Sequence, residues 1–411
     1  MPSLRLITFI LLSALGRIAV PQKVGAQQAV RLSDAIEAAT RRGSSIVLAT
    51  LDTAAGRARL AIAGTLSNPI LSASYTDNTP HNHLDLALPL DFLFLRRLRV
   101  QAAERESDAL ELQLAFQRAA ARYQIVGAYA RSAAAEARAQ LSRRTALDAD
   151  SLLQMAMLRE NAGDASKLEV ELARINRGDA QVRASQDSFN ISATLLEVQR
   201  LMAMSSSRVE IALADSLPAV AGALNVARNP PANLEQGEPL LVAAARRSVE
   251  AHTFAVAAER RRIYGAPSIS IGVEAGMPGS TGLLPTIGVS LPVPLLTRNR
   301  AEVALATIQR DRAVAALDIA RRDAAAALAT VLRSRDLASL RVTQTRDVLA
   351  SAERIASLTL IAYREGEVAL SFVLEATRRA RDLRDDYITA LSDQVSSDAG
   401  VTLYSILVPG P

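Results

Sequence analysis

The chain repeats itself over a long distance. Leu88-Pro89-Leu90 opens a run that reaches Asn161-Ala162-Gly163-Asp164, and Leu291-Pro292-Val293 opens a second run that reaches Arg364-Glu365-Gly366-Glu367. Leu291 follows Leu88, and Gly366 follows Gly163, by the same 203 residues. Fixed self-similarity at such a distance marks a duplicated unit. Each copy joins an alternating strand pair to two very long helical stretches, a combination that few folds can use.

The helical stretches are recognised by what they lack. No proline occurs between Pro89 and Pro218 or between Pro294 and Pro409, and glycine is confined there to Gly127, Gly163, Gly178, Gly366 and Gly400. With the main helix breakers absent, both stretches read as helix. Apolar residues recur at three- and four-residue spacing, as in Leu112, Phe116, Ala119, Tyr123, Val126, Ala130 and Ala133, matched by Leu317, Ala320, Ala324, Leu328 and Val331. Gly163 and Gly366 interrupt each pattern and read as turns, so each stretch is a hairpin of two antiparallel helices. The outgoing helix, from Arg96 to Asn161, has roughly 65 residues and is about 100 Å long at 1.5 Å per residue. A coiled-coil rod or tube uses such a length; a globular domain does not. Composition agrees, since apolar residues make up 49% of the chain but aromatics only 3%. Small apolar side chains suit helices packed closely side by side. A helix over Leu32 to Leu66, capped by Asp34, precedes the first strand pair, and one over Pro239 to Ile263 precedes the second.

The strand segments alternate with period two. Ile269, Ile271, Val273 and Ala275 alternate with small or polar residues, as do Ile287, Val289, Leu291 and Val293, and in the first copy Leu84, Leu86, Leu88 and Leu90. Asn68 to Tyr75 is the weaker partner strand. At about eight to ten residues these strands match a tilted transmembrane β-strand. Two amphipathic hairpins on a soluble domain are the competing reading. Four strands cannot close a barrel, however, and an open sheet edge is not tolerated in lipid. Membrane insertion therefore requires several copies to share one barrel, and three copies would supply twelve strands.

The chain divides into a leader over 1–26, a first unit over 27–204 with a strand pair at 68–90 and a helical hairpin at 96–203, a linking equatorial segment over 205–237, a second unit over 238–400 with a strand pair at 267–293 and a helical hairpin at 298–400, and a tail over 401–411. The leader has Arg5, an apolar core from Leu6 to Leu15 too short to span a bilayer, and small residues Val24-Gly25-Ala26 before Gln27. It reads as a cleaved secretory signal; an uncleaved anchor is the alternative. There is no cysteine, so thiolate chemistry and Cys-held metals are excluded. The net charge of +5 is spread over interleaved Arg and Asp/Glu, as in Glu104-Arg105-Glu106, which is a solvated helix surface rather than a nucleic-acid footprint. No phosphate loop, zincin motif or nucleophile elbow is present, and the chain reads as a non-enzyme without cofactor. His81 and His83 flank Asn82 in a strand loop, where they read as solvated or as a weak metal pair with Asp77 or Asp85. Gly276 to Gly282 reads as a flexible hairpin loop.

The order helix, strand pair, long helical hairpin, all repeated, resembles the TolC family of outer-membrane efflux proteins over nearly the whole mature chain. The motifs that carry the resemblance are Leu66-Ser67-Asn68-Pro69-Ile70-Leu71-Ser72, Leu291-Pro292-Val293-Pro294-Leu295-Leu296-Thr297-Arg298-Asn299-Arg300, the tip Gly163-Asp164-Ala165-Ser166-Lys167-Leu168-Glu169-Val170, and the tip Tyr363-Arg364-Glu365-Gly366 followed by Val373-Leu374-Glu375-Ala376. The first two are most similar to the cobalt-zinc-cadmium, metal-efflux branch. The resemblance implies a mainly α fold with a small membrane β-barrel contribution: a homotrimer with a twelve-stranded barrel in outer-membrane lipid, continued by a periplasmic tunnel of twelve helices. It implies a passive exit duct that docks on a periplasmic adaptor protein and an inner-membrane transporter of the resistance-nodulation-division type. Type I protein secretion, or a periplasmic coiled-coil adaptor or structural protein, are the alternatives. Relatives close the periplasmic end near the second tip, using acidic residues six and nine places after the glycine. Here those places hold Phe372, a departure, and Glu375; the sixth place after Gly163 is Glu169. The resemblance thus points to Glu169, Tyr363, Arg364, Phe372 and Glu375 as gate residues, and to Gly163, Asp164, Gly366 and Glu367 as adaptor contacts. Ordinary exposed helix glutamates are the competing reading for Glu169 and Glu375.

Overall fold

The structure, a computed structural model, describes residues 28–91, 95–205, 207–224, 237–264, 267–279, 282–294 and 298–409. The leader lies outside these residues, as do Leu295, Leu296 and Thr297 of the second strand-to-helix motif.

In chain order the elements are β1 (Gln28–Val30), α1 (Leu32–Arg42), α2 (Ser44–Gly64), β2 (Ile70–Tyr75), β3 (Asn82–Pro89), α3 (Arg96–Ala162), α4 (Lys167–Leu201), β4 (Ile211–Leu213), α5 (Leu217–Leu224), β5 (Gly237–Pro239), α6 (Leu240–Arg261), β6 (Ser268–Ala275), β7 (Leu284–Ser290), α7 (Arg300–Arg364), α8 (Leu370–Tyr404) and β8 (Leu407–Pro409). The outgoing helices α3 and α7 have 67 and 65 residues, while the returning helices α4 and α8 have 35 each. Each outgoing helix is therefore covered by its returning partner over only about half its length. The remainder is covered by α2, of 21 residues, and α6, of 22.

This length arithmetic produces three layers of four. At the tip end the order is α4, α3, α8, α7; at the sheet end it is α2, α3, α6, α7. The sheet repeats the order as β2, β3, β6, β7, all antiparallel, with β3 and β6 joining the two hairpins. Every layer has its first edge in the first copy of the repeat and its last edge in the second. Ion pairs confirm the levels: Arg57 and Arg59 of α2 reach Glu111 and Glu106 of α3, whereas Arg177 of α4 reaches Asp150 much further along.

Three details depart from the sequence reading. The helix over Leu32 to Leu66 is two helices, broken at Gly43, whose ψ of 140° is extended rather than helical. Asp34 is not the cap; Arg31 holds that position and the Asp34 carboxylate accepts from its backbone N–H at 3.4 Å. Within the linking segment and the tail, β4 pairs in parallel with β1, α5 packs on α8, and β8 pairs with β5.

The main core lies where these short strands meet the middle of α3. Ile125, Val126, Ala128, Tyr129 and Ala130 are buried on nearly all sides of the helix, against Val30, Ile211, Val198 and Val395. Tyr129 is fully buried; its hydroxyl donates to the Val30 carbonyl at 2.9 Å and accepts from the Asp215 N–H at 3.2 Å. The Asp215 carboxylate accepts from the Leu32 N–H at 2.7 Å, which ties the start of α1 to the same point. Burial pushes the phenol pKa up from 10.0 to about 12. Tyr129→Phe leaves the Val30 carbonyl with the Ala214 N–H alone, at 2.9 Å, and takes from the half-buried Asp215 N–H its phenol partner. It should cost about 1–2 kcal/mol, read as a lower melting temperature by circular dichroism. Because the folded pKa is raised, the wild-type phenol stabilises fully below pH 10.0 and progressively less as pH rises towards about 12. The variant's melting temperature should change less over that interval, and an equal alkaline loss in both proteins would refute the assignment.

Candidate functional site

Two regions bring together polar groups that the fold positions deliberately: the hairpin tips and one face of the sheet.

At the tips the helix ends are set by left-handed glycines. Gly163 has φ 84° and its N–H bonds to the Glu160 carbonyl at 2.9 Å, while the Asp164 N–H reaches back to the Arg159 carbonyl at 2.8 Å. Gly366 has φ 80° and the same pattern, with its N–H on the Tyr363 carbonyl at 3.1 Å and the Glu367 N–H on that of Ala362 at 2.9 Å. Side chains other than glycine are strained at such φ values. Behind the turns lies one small core built from both hairpins: Leu152, Leu153, Ala156, Val170 and Ala173 with Tyr363, Leu370 and Val373.

Arg159, on α3, fastens this core to the second tip. Its guanidinium lies 4.7 Å from the centroid of the Tyr363 ring and donates to the Tyr363 carbonyl at 2.8 Å and to the Asp164 carbonyl at 3.3 Å. Sequence reasoning missed this residue, because one arginine among so many carries no signal until the two tips are adjacent. Tyr363 is buried, and its hydroxyl has no hydrogen-bond partner among the described residues. Burial raises its pKa, the Glu169 carboxylate adds to the rise, and the Arg159 charge opposes it. Of the sequence-derived gate residues the structure thus brings Glu169 to Tyr363, the residue that Arg159 holds. Arg364, Phe372 and Glu375 are exposed, Phe372 at 64% of its surface, and Glu375 pairs with Arg378 at 3.0 Å one turn along α8. Gly163, Asp164, Gly366 and Glu367 are all exposed on the turns.

The sheet has two unlike faces. Register places Leu71, Leu86, Ile271 and Ile287 in one cross-strand row and Leu88, Ile269 and Val289 in another. All seven are exposed, with Ile287 at 82%. The opposite face carries Ser72, Asp85, Gly272 and Thr286 in one row, with Ser74, His83 and Glu274 in the next towards the β2–β3 turn. Gly272 makes this row possible: a Cβ there would lie 2.1 Å from the Asp85 carboxylate and 2.7 Å from the Thr286 hydroxyl. His83 belongs to β3 rather than to the loop, and its Nδ1 lies 3.3 Å from Glu274 on β6. The nearby acid it meets is therefore from the other repeat, not Asp77. His81 stacks on Tyr75, with centroids 5.7 Å apart. Among the described residues no group of three or more His, Asp or Glu could hold a metal ion, and no helix is long and apolar enough to cross a membrane.

The chain is similar to known proteins over most of its length. It is 24% identical over 353 residues to the cobalt-zinc-cadmium resistance protein CzcC of Cupriavidus metallidurans, covering 83% of this chain and 81% of that one. In structure it is similar to CusC, studied for folding and transmembrane channel formation, with a TM-score of 0.75, 16% identity and coverage of 94% and 95%. It is also similar to the outer membrane protein VceC from Vibrio cholerae, with a TM-score of 0.71, 19% identity and coverage of 91% and 95%. The Campylobacter jejuni CmeC outer membrane channel gives a TM-score of 0.72 at 15% identity, with coverage of 91% and 85%. No family model matches. The chain has the TolC-like outer-membrane channel fold.

The exposed apolar rows share one face of the sheet, and Asp85, His83 and Glu274 share the other. The tips lie at the far end of the helices, about 100 Å away at 1.5 Å per residue. Arg159→Ala removes a charged hydrogen bond and a cation–π contact, worth about 1.5–3 kcal/mol together. Amide hydrogen exchange at Gly366 and Glu367 should become roughly tenfold faster or more, with the Gly163 turn less affected. Unchanged exchange at Gly366 would show that the second tip stands without Arg159.

Proposed function

We propose that this protein is the outer-membrane exit duct of a tripartite efflux system: a passive, trimeric channel, not an enzyme. The observation that carries this reading is the pair of open edges. In every layer one edge belongs to β2, α2 and α4, and the opposite edge to β7 and α7. Both edges expose apolar side chains, including Val47, Leu48 and Leu51 on α2, Ile175 and Phe189 on α4, and Leu305, Ile308 and Leu358 on α7. Unlike edges at opposite sides of one chain mate head to tail, and a head-to-tail contact that closes is a ring. Three copies of a four-membered layer give a twelve-stranded barrel, within the range of outer-membrane barrels, over a tunnel of twelve helices.

The duct opens to the outside through the barrel and receives its cargo at the hairpin tips. Gly163, Asp164, Gly366 and Glu367 form the turns that a periplasmic adaptor engages, and the pump behind it is an inner-membrane transporter of the resistance-nodulation-division type. Tyr363, Arg364 and Phe372 line the closing end, with Glu169 and Glu375 as acidic rings once tripled. Asp85 and Glu274 are the carboxylates of the strands, and no arginine or lysine occurs from Thr65 to Leu95 or from Gly265 to Thr297. A pore lined by carboxylates at both ends favours cations. Together with the likeness to a cobalt-zinc-cadmium resistance protein, this supports divalent metal ions as cargo over secreted proteins.

Cell fractionation with planar-bilayer recording tests the reading. The protein should leave the outer-membrane fraction only with detergent and migrate on gels as a heat-modifiable trimer. It should form cation-preferring channels, and Glu169→Gln with Glu375→Gln should lower that preference several-fold. Full solubility without detergent would sink the duct; unchanged selectivity would sink the acidic rings alone.

A further inference from the structure

The arginines of the chain are unevenly placed around the sheet. None lies in either strand segment or in the turns at its outer end, yet they crowd the other end, where strands give way to helices. Arg96 and Arg97 open α3, Arg260 and Arg261 close α6, and Arg298 and Arg300 precede and open α7. All six are exposed. Arg96 donates to the Gly64 carbonyl at 2.9 Å; the other five form no ion pair among the described residues. Of the nearby acids, Asp91 is engaged by Arg99 at 3.0 Å and Ser67 at 3.1 Å, and Glu259 by Arg262 at 3.2 Å and Asn299 at 3.0 Å; Glu302, in the first turn of α7, is exposed and forms no ion pair with these arginines among the described residues.

Helix electrostatics explain only part of this. Cations are favoured at a helix C-terminus, which suits Arg260 and Arg261 on α6. At a helix N-terminus they are disfavoured, and that is where Arg97, Arg298 and Arg300 sit. Three exposed cations at the unfavourable ends of two helices, without acidic partners, indicate an anion supplied from outside the chain. The apolar rows of the sheet end on the same side: Leu88 and Val289 each lie one residue before the last residue of β3 and β7, and Arg96 and Arg298 follow them by eight and nine residues. Acyl chains against those rows place their phosphates at the level of the arginines.

We propose that this belt binds the phosphate groups of phospholipids in the periplasmic leaflet and so sets the depth and direction of insertion. The proposal rests on the outer-membrane reading above. The outer mouth, with Asp77 and no cation in its turns, has no counterpart, so the two ends of the barrel are not interchangeable.

The test uses the purified full-length mature protein and vesicles of phosphatidylcholine, with or without one third phosphatidylglycerol. Insertion is read by flotation and by heat-modifiable migration. Wild type should insert about tenfold better into the anionic vesicles. That preference should vanish at about 1 M salt, where the Debye length is about 3 Å. A variant with Arg97, Arg260, Arg261, Arg298 and Arg300 all changed to Gln should insert equally into both. A control with Arg144, Arg183, Arg312, Arg333 and Arg346 of the tunnel helices changed to Gln should keep the wild-type preference. Preference retained by the belt variant, or lost equally in the control, overturns the proposal. Should the belt variant not assemble, the wild-type salt titration decides: a preference unmoved by salt overturns it. Failure of wild type to insert into either vesicle rejects the outer-membrane reading instead.

Discussion

The backbone of β2 and β7 sets the terms for everything else. Each presents an unpaired row of N–H and C=O groups at an edge of a four-stranded sheet whose apolar face is exposed. In hydrocarbon an unmet peptide group costs several kcal/mol, so the sheet is stable in lipid only when its two edges meet other edges. That demand propagates down the molecule, because the helices inherit the strand order. α2 and α4 continue the β2 edge, α7 continues the β7 edge, and each carries exposed leucines, isoleucines or valines that the proposed ring of copies would cover. Barrel and tunnel are one solution to one problem, repeated at three levels.

Duplication is what makes the solution geometrically cheap. A single unit provides a strand pair and a helical hairpin, and the antiparallel pairing of β3 with β6 joins two units without a crossover. The half-length of the returning helices is then not an accident of truncation. Ending α4 at Leu201 and α8 at Tyr404 leaves room for α2 and α6 to occupy the same tiers nearer the sheet. The junction between tiers is where the short strands and the buried middle of α3 sit. Tyr129 fixes that junction by bonding at once to the first strand and to the segment between the units.

Much of this was legible in the chain because it rests on punctuation. Proline-free, glycine-poor stretches, period-two strands and two tip glycines locate the long elements to within a few residues. What escaped depended on partners remote in sequence. Strands of three residues, such as β1 and β8, carry no period of their own and exist only through their pairing with β4 and β5. The break at Gly43 is a backbone rotation inside an otherwise helical pattern. His83 is placed in a strand, and beside Glu274, by pairing across 191 residues. Arg159 is the clearest case: its work is done on a ring and a carbonyl 204 residues away.

The two tips, alike in backbone, differ in how they are secured. Ser166 caps α4, its hydroxyl accepting from the Glu169 N–H at 3.3 Å. The matching position before α8 is Ala369, which offers no side-chain cap, a difference worth about 1 kcal/mol in helix stability. The second tip makes up for this with the burial of Leu370 and Tyr363 and with the grip of Arg159 from the first hairpin. Its order is thus borrowed from a neighbour, whereas the first tip carries its own. Arg159, donating to the Tyr363 carbonyl at 2.8 Å and to the Asp164 carbonyl at 3.3 Å, is thus the side chain that couples the order of one tip to that of the other.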